Sequence, residues 1–381
     1  MPKDNSATPS AVFPVSPSAV FQTVEITAAT AHLIPPLLYR GFGYTYTDHS
    51  LYTEEGVAAV LAGGRTRFFA ALDAPPERGG RAVAMMAMRF CYPSRDIAEL
   101  GLLLVDPAVP AAAAGQLLRL LTGCIVEAVR TLAATEGLRA LASTEVTVHS
   151  LTQRLVGTFD FTTTGIYLGW TPAWGEHLRL LPSDRLSGSG HSREAQRVQR
   201  LMSQRRTETV SVRPFPSRIA PYAVTPPTRF APLLRALYDG LKLPVTFTTA
   251  EPAAAHDSTV DVRLDLRRSL AVIEAVTVGA DAVPAVLDRF IHARDGMIDV
   301  IHVVLPLNGV DIDPLVTALL NLGCVWGALI PFYRGYDVIV LQYLNGVDVE
   351  LEMPDLHSPL ARRILTEIRS DEAAHTHGGG A

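Results

Sequence analysis

Apolar positions along the chain fall into short blocks, and the longest block organises the rest. In residues 97–121, IAELGLLLVDPAVPAAAAGQLLRLL, the run 100–105 is almost all long or branched apolar. It predicts a strand buried on both faces. Asp106 and Pro107 stop that strand, because proline donates no ladder hydrogen bond and biases its predecessor away from helix. Pro110 stands where a first helical residue would. The small residues 111–115 then open a helix that runs to about Glu136 and is stopped by Gly137. A strand, a tight turn and a helix opening on bare backbone put free N–H groups at the positive end of a helix dipole. That arrangement suits an anion such as a phosphate.

Around this unit the pattern predicts a strand at 23–27, a helix at 28–39 interrupted by Pro35 and Pro36, and a helix at 53–61. Strands follow at 66–72 and 81–90, then after the organising unit a strand at 140–148, a helix from Ser150 to about 159, and a strand at 161–170. Residues 183–192 read as a flexible join, and 193–206 as a charged segment with helical potential. Beyond it come a helix at 228–241, strands at 260–266 and 270–278, a helix at 283–294 and a strand at 299–305. A helix at 313–322, strands at 324–332 and 337–344, and a helix at 359–369 complete the series. Each half thus runs through a meander, a long strand, a helix, a strand, a helix and two closing strands. The expected division is a disordered tail at 1–20, a domain at 21–182, a linker at 183–206, a domain at 207–371 and a loose tail at 372–381.

Composition narrows the function classes. A chain of 381 residues has room for two ordinary domains, and a formal net charge of -5 leaves no basic footprint for nucleic acid. Only Lys3 and Lys242 are lysines, which coding bias explains better than phosphate recognition. Cys91, Cys124 and Cys324 lack CxxC spacing and read as reduced core residues. No leader pattern or membrane-spanning apolar run is present, so the expectation is a cytoplasmic, soluble protein with no membrane partner. His375 and His377 in a Gly-rich tail read as a solvated terminus, and no metal is expected.

The order of elements, with Leu104-Val-Asp-Pro107, the small-residue turn to Gly115 and Leu117-Leu118 at its centre, resembles the GNAT superfamily of acyl-CoA-dependent acyltransferases. Asp160-Phe161 stands where that superfamily usually has a helix-ending Gly-Phe pair. The resemblance covers about residues 22–170. In looser form, through Tyr44-Thr-Tyr46, residues 149–153 and Leu341-Gln-Tyr343, the whole chain resembles bacterial proteins with two tandem GNAT-like folds. It implies two α/β domains, each a mixed, mostly antiparallel sheet flanked by helices, the second degenerate. It implies acetyl-CoA or another acyl-CoA as co-substrate and a small-molecule or protein amine as acceptor. Leu103, Leu104 and Val105 with Ala112, Ala113, Ala114, Gly115 and Gln116 would hold the cofactor. The family loop, Arg/Gln-x-x-Gly-x-Gly/Ala, reads Pro110-Ala-Ala-Ala113-Ala-Gly115 here, so the side chain that contacts phosphate is missing. A hydrogen bond to a charged group is worth roughly 1.5–3 kcal/mol, which predicts acyl-CoA binding about ten- to a hundredfold weaker.

Acyl transfer to an amine needs a base and a group to protonate the leaving thiolate. In the strand from Ala140, residues Ser143, Glu145, Thr147 and His149 share one face, a polar stripe that is costly unless it lines a wet cavity. Glu145 is the first choice of base. His149 precedes a capping Ser150, and Glu99 begins the organising strand, where a solvated strand end is the plainer reading. Glu145 and His149 lie roughly 13 Å apart along a strand and form no direct dyad. The position of the superfamily's thiolate-protonating tyrosine falls on Val156; Tyr167, or Tyr44, Tyr46 or Tyr52, would substitute. The turn 279–284 of the second half has one glycine and carries Asp281, which repels phosphate. A non-catalytic protein that senses acyl-CoA or binds a partner is the competing reading.

Overall fold

The computed structural model describes residues 21–44, 46, 48–147, 150–172, 204–253, 255–347, 349, 351 and 355–378. The fold is mixed α/β, mostly antiparallel sheet flanked by helices. Two compact units are present, Met1–Met88 with Leu102–Arg130, and Arg89–Gly101 with Thr131–Ala381. His149, the N-terminal tail and residues 183–203 of the expected linker lie outside the described residues. No described helix is long and apolar enough to cross a membrane.

In the first unit β1 (Gln22–Glu25) pairs antiparallel with β2 (Thr66–Leu72), followed by β3 (Ala82–Arg89) and the distal part of β4 (Ile97–Val105). Helix α1 (Ile34–Phe42) carries Pro35 and Pro36 in its first turn. The prolines therefore start the helix, where their missing N–H groups have no partner to lose, and do not interrupt it. Ile34, Leu37 and Leu38 of α1 and Val57 of α2 (Glu54–Ala62) pack on Phe68, Leu72 and Met85. Asp106 ends β4 as a buried clamp. Arg40 Nε donates to its Oδ2 at 2.6 Å, its Oδ1 accepts the Ala108 amide at 2.9 Å, and its own N–H donates to Val83 at 2.8 Å. These bonds fix the turn into α3 (Ala111–Thr135), which ends at Gly137 with a positive φ of 75°.

The second unit holds the proximal part of β4 and the strands that follow it across the sheet. β5 (Ala140–Val146) pairs parallel with β4 from Ile97↔Ala140 to Leu100↔Ser143 only. β7 (Arg206–Pro214) follows β5 antiparallel through to Val146↔Glu208, and β6 (Thr162–Thr171) closes on β7. β7 opens at Arg206, the last residue of the expected linker, and lies between β5 and β6. Its alternation explains this: Thr207, Thr209 and Ser211 take one face, and Glu208, Val210 and Val212 the other.

The same order recurs downstream. β10 (Thr259–Asp265) lies beside β11 (Leu270–Thr277), which pairs parallel with β12 (Val300–Pro306). β14 (Val338–Leu344) separates β12 from β13 (Val325–Ile330). β8 (Tyr222–Val224) and β9 (Val245–Phe247) form a small parallel pair. Helices α4 (Leu151–Gly157), α5 (Ala231–Leu241), α6 (Ala282–Asp295), α7 (Asp313–Asn321) and α8 (Pro359–Gly378) flank these strands. The expected loose tail at 372–381 is helical as far as Gly378, because 370–377 holds no proline or glycine to stop it.

The repeats meet where β6 pairs with β13 at Gly165↔Ala328. Gln342 bonds across that seam, its Nε2 donating to Ile166 O at 2.8 Å and Trp326 O at 2.7 Å, and its Oε1 accepting from Leu168 N at 2.8 Å. Nearby, buried Asp337 accepts from Tyr222, Tyr238 and the amide of Phe332 at 2.8, 2.7 and 2.9 Å. Asp160 takes the left-handed φ of 60° at the end of α4, a conformation aspartate tolerates, so the Asp-Phe pair turns the chain without glycine.

Candidate active site

Pro110 precedes α3 and does not begin it, and this alters the anion site. Its carbonyl accepts from Ala113 N at 2.9 Å and Ala114 N at 3.1 Å. Helical geometry commits Gly115 and Gln116 to the carbonyls four residues back. Of the amides expected between Ala112 and Gln116, only that of Ala112 stays outside the helix ladder, joined by that of Ala111. Gly115 has open space where a Cβ would stand, so close packing does not demand glycine there. Leu104 is 8% exposed and fills the space over Gly41 of α1, so its side chain belongs to the core and not to a ligand face. Leu103 and Val105 are half-buried. Leu102 has a φ of 51°, the left-handed region that a branched side chain rarely adopts. Tyr44 is exposed at the aromatic rim formed with Tyr39 and Tyr52, and the Tyr52 hydroxyl accepts from Tyr46 N at 3.0 Å.

In the second repeat the equivalent turn is filled by the chain itself. Gly279 packs against the His256 carbonyl, Gly279 N donates to Ser258 Oγ at 2.9 Å, and Asp281 Oδ1 accepts from Ser258 N at 2.7 Å. That contact holds the Asp281 carboxyl below its ordinary range.

Glu145 is fully buried. Its Oε2 accepts from Thr209 Oγ1 at 2.7 Å and Ser211 Oγ at 2.9 Å, while Oε1 has no partner among the described residues. Burial pushes its pKa up to about 8 against the lowering effect of those hydroxyls. The polar stripe is therefore a sealed cluster, not the wall of a wet cavity. The sign of its effect on stability follows. A carboxyl with a raised pKa holds its proton in the folded state between about pH 4.5 and 8 and has lost it in the unfolded chain. Stability from this group is complete below that window and falls as pH rises through it, at about 1.4 kcal/mol per pH unit. Glu145→Gln should raise the melting temperature at pH 8 and leave it nearly unchanged at pH 4.5. A wild-type melting temperature that falls no faster than the variant's across that window would remove this account.

The opposite face gathers what sequence reasoning separated. Glu99 pairs with Ala142, and Tyr167 with Glu208, so register places Glu99, Thr144, Glu208 and Tyr167 on one face. Glu99 is not a solvated strand end. Its side chain is 14% exposed, its Oε1 accepts from Arg89 Nη2 at 2.9 Å, and its Oε2 accepts from Cys91 Sγ at 3.0 Å. Burial alone would raise its pKa, but Arg89, Cys91 and Arg268 together hold the carboxyl below its ordinary range. Cys91, expected in the core, is instead exposed.

Glu208 shifts the other way. Burial raises its pKa, and Glu99 adds to the rise, against Arg206, Thr144 and Arg268. Thr171 Oγ1 also donates to it, at 3.4 Å. Strand spacing puts the Cα atoms of Glu99 and Glu208 roughly 16 Å apart, too far for direct contact. The Tyr167 hydroxyl is kept protonated by burial and by Tyr333, Cys91 and Glu99. Its ring packs on His302 and Trp170 at centroid distances of 4.6 and 4.8 Å. His302 is 2% exposed, its Nε2 unpartnered among the described residues, and burial drives its pKa down to about 3. It is a neutral ring in an aromatic stack. Tyr333 of the second repeat reaches the same face, its ring 5.7 Å from that of Tyr92 and its hydroxyl taking a 2.8 Å bond from Arg263.

The carboxylate missed in the sequence, Glu208, had one signal: a charge on the parity of Val210 and Val212 in an alternating strand. Among the described residues no group of three or more His, Cys, Asp or Glu is placed to hold a metal ion.

No protein-family profile matches the sequence, and no curated protein matches it. Solved structures similar to part of the chain include ribosomal-protein-S5-alanine acetyltransferase from Vibrio fischeri, 8% identical over 51% of this chain and 92% of that one, with a TM-score of 0.35. Arabidopsis thaliana NAA60 in complex with acetyl-CoA is 12% identical over 51% and 97%, with a TM-score of 0.34. Mutant forms of the spermidine/spermine N-acetyltransferase SpeG from Vibrio cholerae are 11% identical over 51% and 93%, with a TM-score of 0.33.

Proposed function

We propose that the protein transfers a short acyl group from acyl-CoA to an amine. The observation that carries the reading is the pair of carboxylates on one sheet face, Glu99 and Glu208, with pKa values driven in opposite directions and Tyr167 beside the second. Titratable groups pushed apart in this way divide acid–base work between them. The resemblance in the sequence and the pairing of β5 with β4 that ends at Ser143 support the choice of acyl transfer among the reactions such a set serves.

Each group has a job its environment allows. Ionised Glu99 favours an acceptor that arrives as an ammonium ion. Glu208, with raised proton affinity, takes the proton the amine must lose before it attacks the thioester carbon. The neutral Tyr167 hydroxyl gives a proton to the departing thiolate as the C–S bond breaks, and the second nitrogen proton, shed as the amide forms, passes to water, which reprotonates the tyrosine. Glu145 is buried on the opposite face and takes no part in the transfer. The two domains implied by the sequence then divide the labour, the second, with its turn filled by Asp281 and 256–258, taking no cofactor of its own.

The test is release of free thiol from acetyl-CoA in the presence of primary amines. The expected result is release that depends on both protein and amine. Binding of acetyl-CoA without turnover on any amine would favour the sensing reading, to which the two remaining amides and the missing side chain at Pro110 lend support.

A further inference from the structure

Strand β10 ends the sheet of the second unit, and among the described residues no strand pairs with its outer edge. An open edge is a template for another strand, and folded proteins usually blunt it. β10 does the reverse on one face. Val262 is 41% exposed and Leu264 57%, and Leu266 in the following turn is 75% exposed. Its register with β11, Val262↔Ile273 and Leu264↔Ala271, puts these side chains on the face whose inner neighbours are fully buried. The other face carries Asp261, Arg263 and Asp265.

From this edge we infer that a second copy of the chain pairs with the first, antiparallel, β10 to β10. The strand is complementary to itself. With Val262 on the two-fold axis, Val260 stands opposite Leu264 and Asp261 opposite Arg263, so each apolar residue meets an apolar one and each of these charges its opposite. Moving the axis by one residue, to Arg263, sets Asp261 against Asp265 and loses that match. Asp261 also accepts from Arg334 at 3.2 Å and Arg263 donates to Tyr333, yet both strand residues remain exposed. An isologous pairing of this kind joins the two sheets and sets the Val262–Leu264 row against the partner's own row, which reduces the apolar surface that water faces.

The experiment is light scattering on the eluting full-length chain. The expected wild-type mass is about twice 41.1 kDa at micromolar concentration. Val262→Lys combined with Leu264→Lys should give a monomer with unchanged circular dichroism. Asp261→Arg should weaken the dimer about tenfold or more. Asp261→Arg together with Arg263→Asp should restore it, which a change in folding alone would not. A wild-type chain monomeric up to about 100 µM overturns the inference. So does a dimer untouched by the lysine pair, which would place the interface elsewhere, or a charge swap that fails to restore association.

Discussion

Under the proposed acyl transfer, replacing Glu208 by Gln should lower turnover by roughly 10²- to 10⁴-fold, the usual contribution of a positioned general base. The exchange keeps the shape and the bond from Thr171 but removes the proton-accepting carboxylate. Acetyl-CoA affinity should change little, because the lost interaction belongs to the transition state. The pH profile carries a second signature. A base works only when deprotonated, so wild-type turnover should rise through a pKa displaced upward from the ordinary 4.5 of a glutamate, and the Gln variant should lose that limb. Glu145→Gln, on the opposite face of the same strands, should keep it. Equal turnover in wild type and the Glu208 variant would clear Glu208 of the role; equal losses in both glutamate variants would point to a folding effect.

Gly165→Val should cost about 3 kcal/mol, a large part of the 5–15 kcal/mol that ordinary domains possess. A Cβ at Gly165 would stand 2.3 Å from Ala328 Cβ, 2.4 Å from Gly327 O and 2.5 Å from Ala328 Cα. Two of these neighbours are backbone in the partner strand, so no rotamer change relieves the clash. The seam between the repeats would have to open, exposing the bonds made by Gln342. Gly115→Ala supplies the contrast, since it meets nothing and gains the helix propensity of alanine, about 1 kcal/mol. Chemical denaturation of both variants measures the difference, and a Gly165 variant within about 1 kcal/mol of wild type would contradict the tight seam.

Much of this fold can be read along the chain because periodicity and punctuation agree locally. The 100–105 run, Gly137 and the alternation from Ala140 mark β4, the end of α3 and β5 within a residue or three. What stays hidden is non-local. Nothing in 206–214 says that it returns to pair between β5 and β6, since a connection of that length leaves partner choice to tertiary contacts. Glu145 and Glu99 are both visible as carboxylates on strands. Their environments are not, because Thr209, Ser211, Arg89 and Cys91 reach them from other strands or around a turn. The helix starts one position later than the pattern suggests, after Pro110 and not on it. That single residue decides which amides are free.

Calorimetric titration of the full chain with acetyl-CoA tests the central claim most directly. One site per chain is predicted, with affinity unchanged in Glu208→Gln. No heat and no thermal shift at millimolar acetyl-CoA, or two equivalent sites per chain, would contradict it.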